Sequence, residues 1–116
     1  MTAVNEKSLE QLQFFLEDQF GMVLEKYMAD GRGYIVQLRE ALQQNDLKAM
    51  ADIAHPFKST SKQIGADAVA SIAEEIELNA RRGQELAYGD LIERFPAALD
   101  EVEDFLRAYM ENTVAG

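Results

Sequence analysis

The chain contains one histidine, and the segment around it has the residue types best suited to chemistry. His55 lies in AHPFKSTSKQIGA, residues 54–66, with Lys58 and Lys62 following it at helical spacing. A neutral imidazole is a nucleophile, and ammonium groups hydrogen-bond phosphate oxygens. These residues therefore suit a histidine that receives a phosphoryl group. The competing interpretation is an unreactive surface histidine beside two solvated lysines.

Charge is unevenly distributed along the sequence. The whole chain has 11 basic and 21 acidic residues and a net charge of -10 at pH 7, yet the window 53–66 holds two lysines and no acid. A local positive charge stabilises the negative charge of phosphoryl oxygens. The acidic remainder argues against nucleic acid or an anionic membrane as the partner, because both bind lysine and arginine. We therefore expect protein partners.

Composition predicts a single domain over residues 1–116. A chain of 116 residues that is 47% hydrophobic can build one core. The absence of cysteine excludes disulfides and thiolate metal sites, and one histidine without a paired Glu-x-x-His motif does not make a di-iron site, so we expect no metal. The first seven residues contain no apolar run of the signal-peptide kind, which makes the cytoplasm the expected location.

Apolar residues recur at helical spacing through most of the chain, which predicts an all-α fold. Ser8 and Gln11 have the spacing of a capping box at the start of a short first helix. A longer helix is predicted over about 20–42, where two glycines leave room for a bend. Asp46 is the expected N-cap of a third helix, which Gly65 should end.

Two further helices complete the predicted fold. Asp67 is the expected cap of a fourth helix that ends near residue 82, and Asp90 is expected to open a last helix that kinks at Pro96. Four long helices with short connections pack most simply as an antiparallel four-helix bundle. The short additional N-terminal helix should then cover one end.

A helical wheel places His55 on the solvent side of the third helix. It lies roughly 130° from the centre of the apolar row. That row consists of Leu47, Met50, Ala54, Phe57, Ser61 and Ile64. Lys58, Ser59 and Lys62 share or flank the exposed side, and the small residues Ser59 and Gly65 should leave room for another protein to approach.

The segment resembles the signature of histidine-containing phosphotransfer (HPt) domains, helical modules that carry phosphoryl groups between two-component signalling proteins. The matching positions are His55, Phe57, Lys58, Ser61, Ile64, Gly65 and Ala66. The resemblance implies a phosphorelay intermediate whose His55 accepts a phosphoryl group on Nε2. The donor would be a receiver-domain aspartate or a hybrid sensor histidine kinase, and the acceptor a response-regulator aspartate.

The resemblance also assigns roles to two basic residues. Lys58, one turn after His55, would contact the phosphoryl oxygens. Arg81 would supply a second basic residue from the neighbouring helix, although an interaction with that helix's dipole explains it equally well. Two departures from the family pattern are Pro56 and the Ser59-Thr60 pair, which replaces the usual Gly-Ser. Neither removes a reacting group.

A glycine-rich nucleotide loop and a kinase ATP-binding segment are both missing from the sequence. We therefore expect a phosphoryl carrier that is not an enzyme and has no cofactor of its own, with magnesium in the partner receiver domain. We also expect a monomer. The alternative is an HPt-like bundle that serves as a non-phosphorylated protein-interaction module.

Phe14 is an anomaly in the first helix, because it lies roughly 170° from the row of Leu9, Leu12 and Leu16. A phenylalanine there should face outward. Since the resemblance implies that a receiver docks over an apolar patch near the histidine, Phe14 is predicted to belong to that patch. The alternative is that the second helix or a loop covers it.

Overall fold

The regular structure in the described residues is entirely helical. The computed structural model describes the backbone of residues 3–115 and the side chains of residues 3–112. Its helices are α1 Glu6–Leu16, α2 Phe20–Gln43, α3 Leu47–Ile64, α4 Asp67–Arg81, α5 Tyr88–Ile92 and α6 Phe95–Ala115, and a 3-10 turn Glu17–Gln19 joins the first two. Helices α2, α3, α4 and α6 form the four-helix bundle, which confirms the predicted fold class. Within residues 3–115, no helix has the length and apolar character of a membrane span.

Helix α3 carries the histidine and begins and ends where the sequence predicts. The Asp46 carboxylate accepts the N–H of Ala49 at 2.9 Å, so Asp46 is the N-cap. Gly65 follows the last residue of the helix with φ of 85°, a left-handed conformation that glycine adopts without strain. Both ends of α3 are therefore fixed by local side-chain and backbone chemistry.

The N-terminal segment lies against the end of α3. Asn5, rather than Ser8, is the N-cap of α1: its Oδ1 accepts the Ser8 N–H at 3.2 Å. The predicted capping box is therefore wrong. The backbone N–H of Asn5 also donates to the carbonyl of Gly65 at 2.8 Å. A Cβ at Gly65 would lie 2.7 Å from the Asn5 carbonyl oxygen, so this close approach requires glycine.

The predictions for the last three helices need correction. Asp67 is the first residue of α4, and Ala66 occupies its N-cap position. Asp90 lies inside the short helix α5, and Pro96 lies in the first turn of a separate helix, α6. Proline is tolerated in a first turn because the N–H that it lacks would have no partner within the helix there. The expected kinked helix is thus two helices.

The core lies between the four long helices, and Phe57 of α3 is at its centre. Its ring is fully buried and packs on Phe95 with ring centroids 4.8 Å apart. Helix α2 continues through Gly31 and Gly33, and a Cβ at Gly31 would lie 3.1 Å from the Leu99 side chain. This packing determines which face of α3 is buried. The opposite face, which includes His55, is exposed.

Candidate functional site

His55 lies on the outer face of α3, as the helical wheel predicts. Its side chain is 56% exposed, whereas its neighbours Ala54 and Phe57 are fully buried. Because these neighbours anchor the helix face beneath, the imidazole is presented to solvent. A partner protein can therefore reach the ring without any rearrangement of the bundle.

A buried carboxylate on α4 organises the site. Glu77 is only 4% exposed. One of its oxygens, Oε2, lies 2.8 Å from Nδ1 of His55 and 3.0 Å from Nη2 of Arg81. The other, Oε1, lies 2.7 Å from Nζ of Lys58. We call His55, Lys58, Glu77 and Arg81 the site cluster; Asp52 adjoins it, 3.7 Å from Nη1 of Arg81.

The charge on Glu77 determines which ring nitrogen of a neutral His55 carries the proton. Burial alone raises the pKa of Glu77, but its contacts with Lys58, His55 and Arg81 outweigh this effect and lower the pKa to about 2. The carboxylate is therefore ionised near neutral pH and can only accept hydrogen bonds. Nδ1 of a neutral His55 must carry the proton, so the lone pair on Nε2 is free.

The structure brings two of the predicted basic residues into the site cluster and leaves a third outside it. Lys58 is mostly buried, with 19% of its side chain exposed beside Glu77. Arg81 contacts the same carboxylate, so it belongs to the site. Lys62 is exposed, and its nearest acidic group is Glu74 at 3.9 Å.

The two small residues that were predicted to give access differ in position. Ser59 is partly exposed, one turn beyond His55. Gly65 is buried beneath Asn5, so the role predicted for it in partner access is wrong. Because Gly65 has no side chain, the N-terminal segment at Asn5 can pack directly against it.

Two exposed aromatic residues lie on α1. Phe14 is 86% exposed, which confirms its predicted orientation and excludes the alternative that the second helix or a loop covers it. Phe15, which the sequence analysis did not single out, is 84% exposed. Phe15 lines a shallow groove between α1 and α3 that also includes Lys62 and Gln63. The groove thus continues the exposed face of α3 onto α1.

Sequence reasoning also missed Glu77, although a signal was present. Glu77 lies within the buried face of α4, between Ala73 and Ala80, where an apolar residue is expected. A buried acidic residue needs charged or hydrogen-bonding partners. Its position four residues before Arg81 supplies one of them, but the contact with His55 depends on how α3 and α4 pack.

Comparison with known proteins identifies the family of the chain. The family model of the Hpt domain matches residues 22–105. The chain is 28% identical over 111 residues to the phosphorelay protein LuxU of Vibrio vulnificus strain YJ016, covering 95% of this chain and 94% of that protein, and the same protein from strain CMCP6 matches equally. The crystal structure of histidine-containing phosphotransfer protein B (HptB) from Pseudomonas aeruginosa PAO1 superposes with a TM-score of 0.89 at 28% identity, covering 95% of this chain and 96% of that one.

A helical bundle that presents one histidine over a buried carboxylate, together with a family match over most of its length, defines the class of protein. The chain belongs to the Hpt domain family. It is a phosphorelay intermediate of the histidine-phosphotransfer kind.

Proposed function

We propose that His55 is the phosphoryl acceptor of this chain and that the phosphoryl group is carried on Nε2. The observation that supports this most strongly is the 2.8 Å contact between Nδ1 of His55 and the buried carboxylate of Glu77. This contact favours the proton on Nδ1, and Nε2 of the exposed side chain would then be the nucleophile.

The proposed transfer needs no proton movement. Nε2 attacks the phosphorus of an aspartyl phosphate in a receiver domain, the Nε2–P bond forms, and the O–P bond breaks so that the receiver carboxylate leaves as an anion. Nδ1 keeps its proton, and the ring gains positive charge next to Glu77. The buried carboxylate stabilises this charge. Transfer to the aspartate of a response regulator reverses these steps and returns the electron pair to Nε2.

Lys58 and Arg81 are proposed to assist in different ways. Lys58 has one contact with Glu77, so its remaining N–H groups are available to phosphoryl oxygens on His55. Arg81 holds Glu77 and lies near Asp52, which makes it a positioning residue for the carboxylate. Both cations also offset the negative charge that gathers during transfer.

The partner requirements follow from what the site cluster lacks. Phosphoryl transfer is catalysed mainly by positioning and by cationic charge, and the receiver domain would supply magnesium for this purpose. We propose a cytoplasmic, monomeric carrier that serves a hybrid sensor kinase and a response regulator. We further propose that Phe14 belongs to the receiver-docking patch, and the position of Phe15 beside Lys62 extends that patch towards α3.

The decisive experiment compares the wild-type chain with His55→Gln. Each is incubated with a receiver domain that carries labelled phosphate, and the products are treated with acid and with base. We expect label on the wild type that is lost in acid and retained in base, as for phosphohistidine, and no label on His55→Gln. Far-UV circular dichroism should show equal helix content, because the exposed ring adds little to the core.

The control for loss of a charged side chain outside the site cluster is Arg39→Gln, whose guanidinium pairs with Glu93 and which should accept label normally. Acid-labile label on His55→Gln would refute the assignment. A wild-type chain that binds the receiver but takes no label would instead support the non-phosphorylated interaction module.

A further inference from the structure

Three consecutive hydroxyl residues follow Lys58 in α3, and their hydrogen bonding differs. The Thr60 hydroxyl donates to the backbone carbonyl of Pro56 at 2.9 Å. The Ser61 hydroxyl is fully buried and lies 2.7 Å from the hydroxyl of Tyr27 on α2. Ser59 makes no side-chain hydrogen bond to any other described residue. Of the three hydroxyls, Ser59 alone has no hydrogen-bond partner among residues 3–112.

The unused donor lies next to the proposed phosphoryl site. Residues four apart on a helix are surface neighbours with Cβ atoms about 5–6 Å apart, and helical side chains lean towards the preceding turn. Ser59 therefore leans towards His55. It is also only partly exposed, which limits the water that competes for its hydroxyl.

The charged donors nearby each share their charge with a carboxylate. Lys58 and Arg81 both contact Glu77, and Lys62 lies a further turn along α3 with its ammonium near Glu74. A phosphoryl group on Nε2 brings three oxygens to this face, and each can accept more than one hydrogen bond, so a hydroxyl donor adds to the N–H groups of Lys58. A neutral hydroxyl can donate to one of them without an opposing carboxylate.

We propose that the Ser59 hydroxyl donates a hydrogen bond to a phosphoryl oxygen of phosphorylated His55 and thereby lengthens the lifetime of the phosphohistidine. This role rests on the proposed phosphorylation of His55. Loss of the group is hydrolysis: water attacks phosphorus, the Nε2–P bond breaks with its electrons returning to Nε2, and inorganic phosphate leaves. The hydrogen bond stabilises the resting state more than a loose transition state in which the group is departing.

The test uses Ser59→Ala, Ser59→Gly and, as a matched control for an internally satisfied hydroxyl, Thr60→Val. Each full-length chain is phosphorylated with phosphoramidate, the donor is removed, and the decay of acid-labile phosphate is followed at neutral pH. Because a partly exposed hydrogen bond to a charged group is of moderate strength, we expect about three- to tenfold faster decay for both Ser59 variants. Thr60→Val should decay like the wild type.

The two Ser59 variants separate the hydrogen bond from simple access. If Ser59 acts only through its size, Ser59→Gly will be phosphorylated faster while both variants keep the wild-type decay rate, and the proposal is then wrong. If Thr60→Val decays as fast as the Ser59 variants, the effect comes from loosening of α3, and the proposal is also wrong. If the wild type takes up no acid-labile phosphate, the proposed phosphorylation of His55 fails, and this inference fails with it.

Discussion

Two ion-pair clusters in this bundle have opposite arrangements. In the site cluster, one buried carboxylate, Glu77, is shared by nitrogen groups of three side chains. Between α2 and α6, the reverse holds: one arginine, Arg32, is shared by Asp100 and Glu103, and its side chain is 40% exposed. We call Arg32, Asp100 and Glu103 the surface cluster.

The two clusters differ in whether water can replace the ion-pair contacts of their members. Each member of the surface cluster can turn to solvent, so its contacts are worth little and constrain nothing beyond the two helices. Glu77 has no such alternative, because an unpaired buried carboxylate is costly. It therefore holds the groups around it in place, and one of these groups is the imidazole of His55. Burial of the shared partner is what separates a chemical site from a surface ion pair.

The comparison is tested most strongly by removing the carboxylate from each cluster. Glu77→Ala leaves Lys58 and Arg81 without their main partner, and we expect the free energy of unfolding to fall by about 2–3 kcal/mol. Glu103→Ala should lower it by less than about 1 kcal/mol. Urea unfolding followed by circular dichroism measures both. Equal losses would show that burial does not distinguish the two clusters.

Acid should remove the contribution of Glu77 to the free energy of unfolding in a defined pH range. Its pKa is lowered in the folded state from 4.5 to about 2, so the carboxylate stabilises the fold fully above pH 4.5 and loses this effect as the pH falls towards 2. The stability difference between the wild type and Glu77→Gln should therefore be largest near neutral pH and shrink below pH 4.5. A difference that stays constant from pH 7 to pH 3 would contradict the lowered pKa.

The two clusters can also be compared by transfer rate, when one cationic side chain is removed from each. Lys58→Ala should slow phosphoryl transfer from a receiver about five- to tenfold, since a charged hydrogen bond to the phosphoryl oxygens is lost. Binding of the unphosphorylated chain to that receiver should change little. Arg32→Ala, in the surface cluster, should leave the rate unchanged. Single-turnover rates that are equal for Lys58→Ala and the wild type would exclude the proposed contact.

The smallest expected effect concerns docking, which involves neither cluster directly. Phe14→Ala and Phe15→Ala should each weaken receiver binding by about 1 kcal/mol or more, as truncation of an interface aromatic does. Because both rings are more than four-fifths exposed, the melting temperature should hardly change. Calorimetric titration against the receiver measures the affinities. Normal binding by both variants would place the docking surface elsewhere.

The sequence alone predicts most of what depends on local pattern. The apolar row of α3, its cap at Asp46 and its end at Gly65 are all confirmed, and the outward orientation of His55 and Phe14 follows from the same periodicity. Local pattern was insufficient where two signals competed. Pro96 is compatible with either a kink or a helix start, and only the packing of α5 and α6 decides between them.

The central residue of the site lay beyond this kind of reasoning. Glu77 is 22 positions from His55, and their contact requires α3 and α4 to pack in one register. A single sequence shows that an acidic residue interrupts the apolar face of α4. It does not show which groups neutralise the charge.

We propose that Glu77 fixes the proton of His55 on Nδ1 and leaves Nε2 to carry the phosphoryl group. Because the chain has one histidine, selective ¹⁵N-histidine labelling gives a single pair of ring signals. Long-range ¹H–¹⁵N spectra of the phosphorylated chain should show the proton on Nδ1 and coupling of Nε2 to ³¹P. Phosphorus coupling at Nδ1, or an imidazole with no coupling to phosphorus in a chain that carries label, would show that Nε2 does not carry the phosphoryl group.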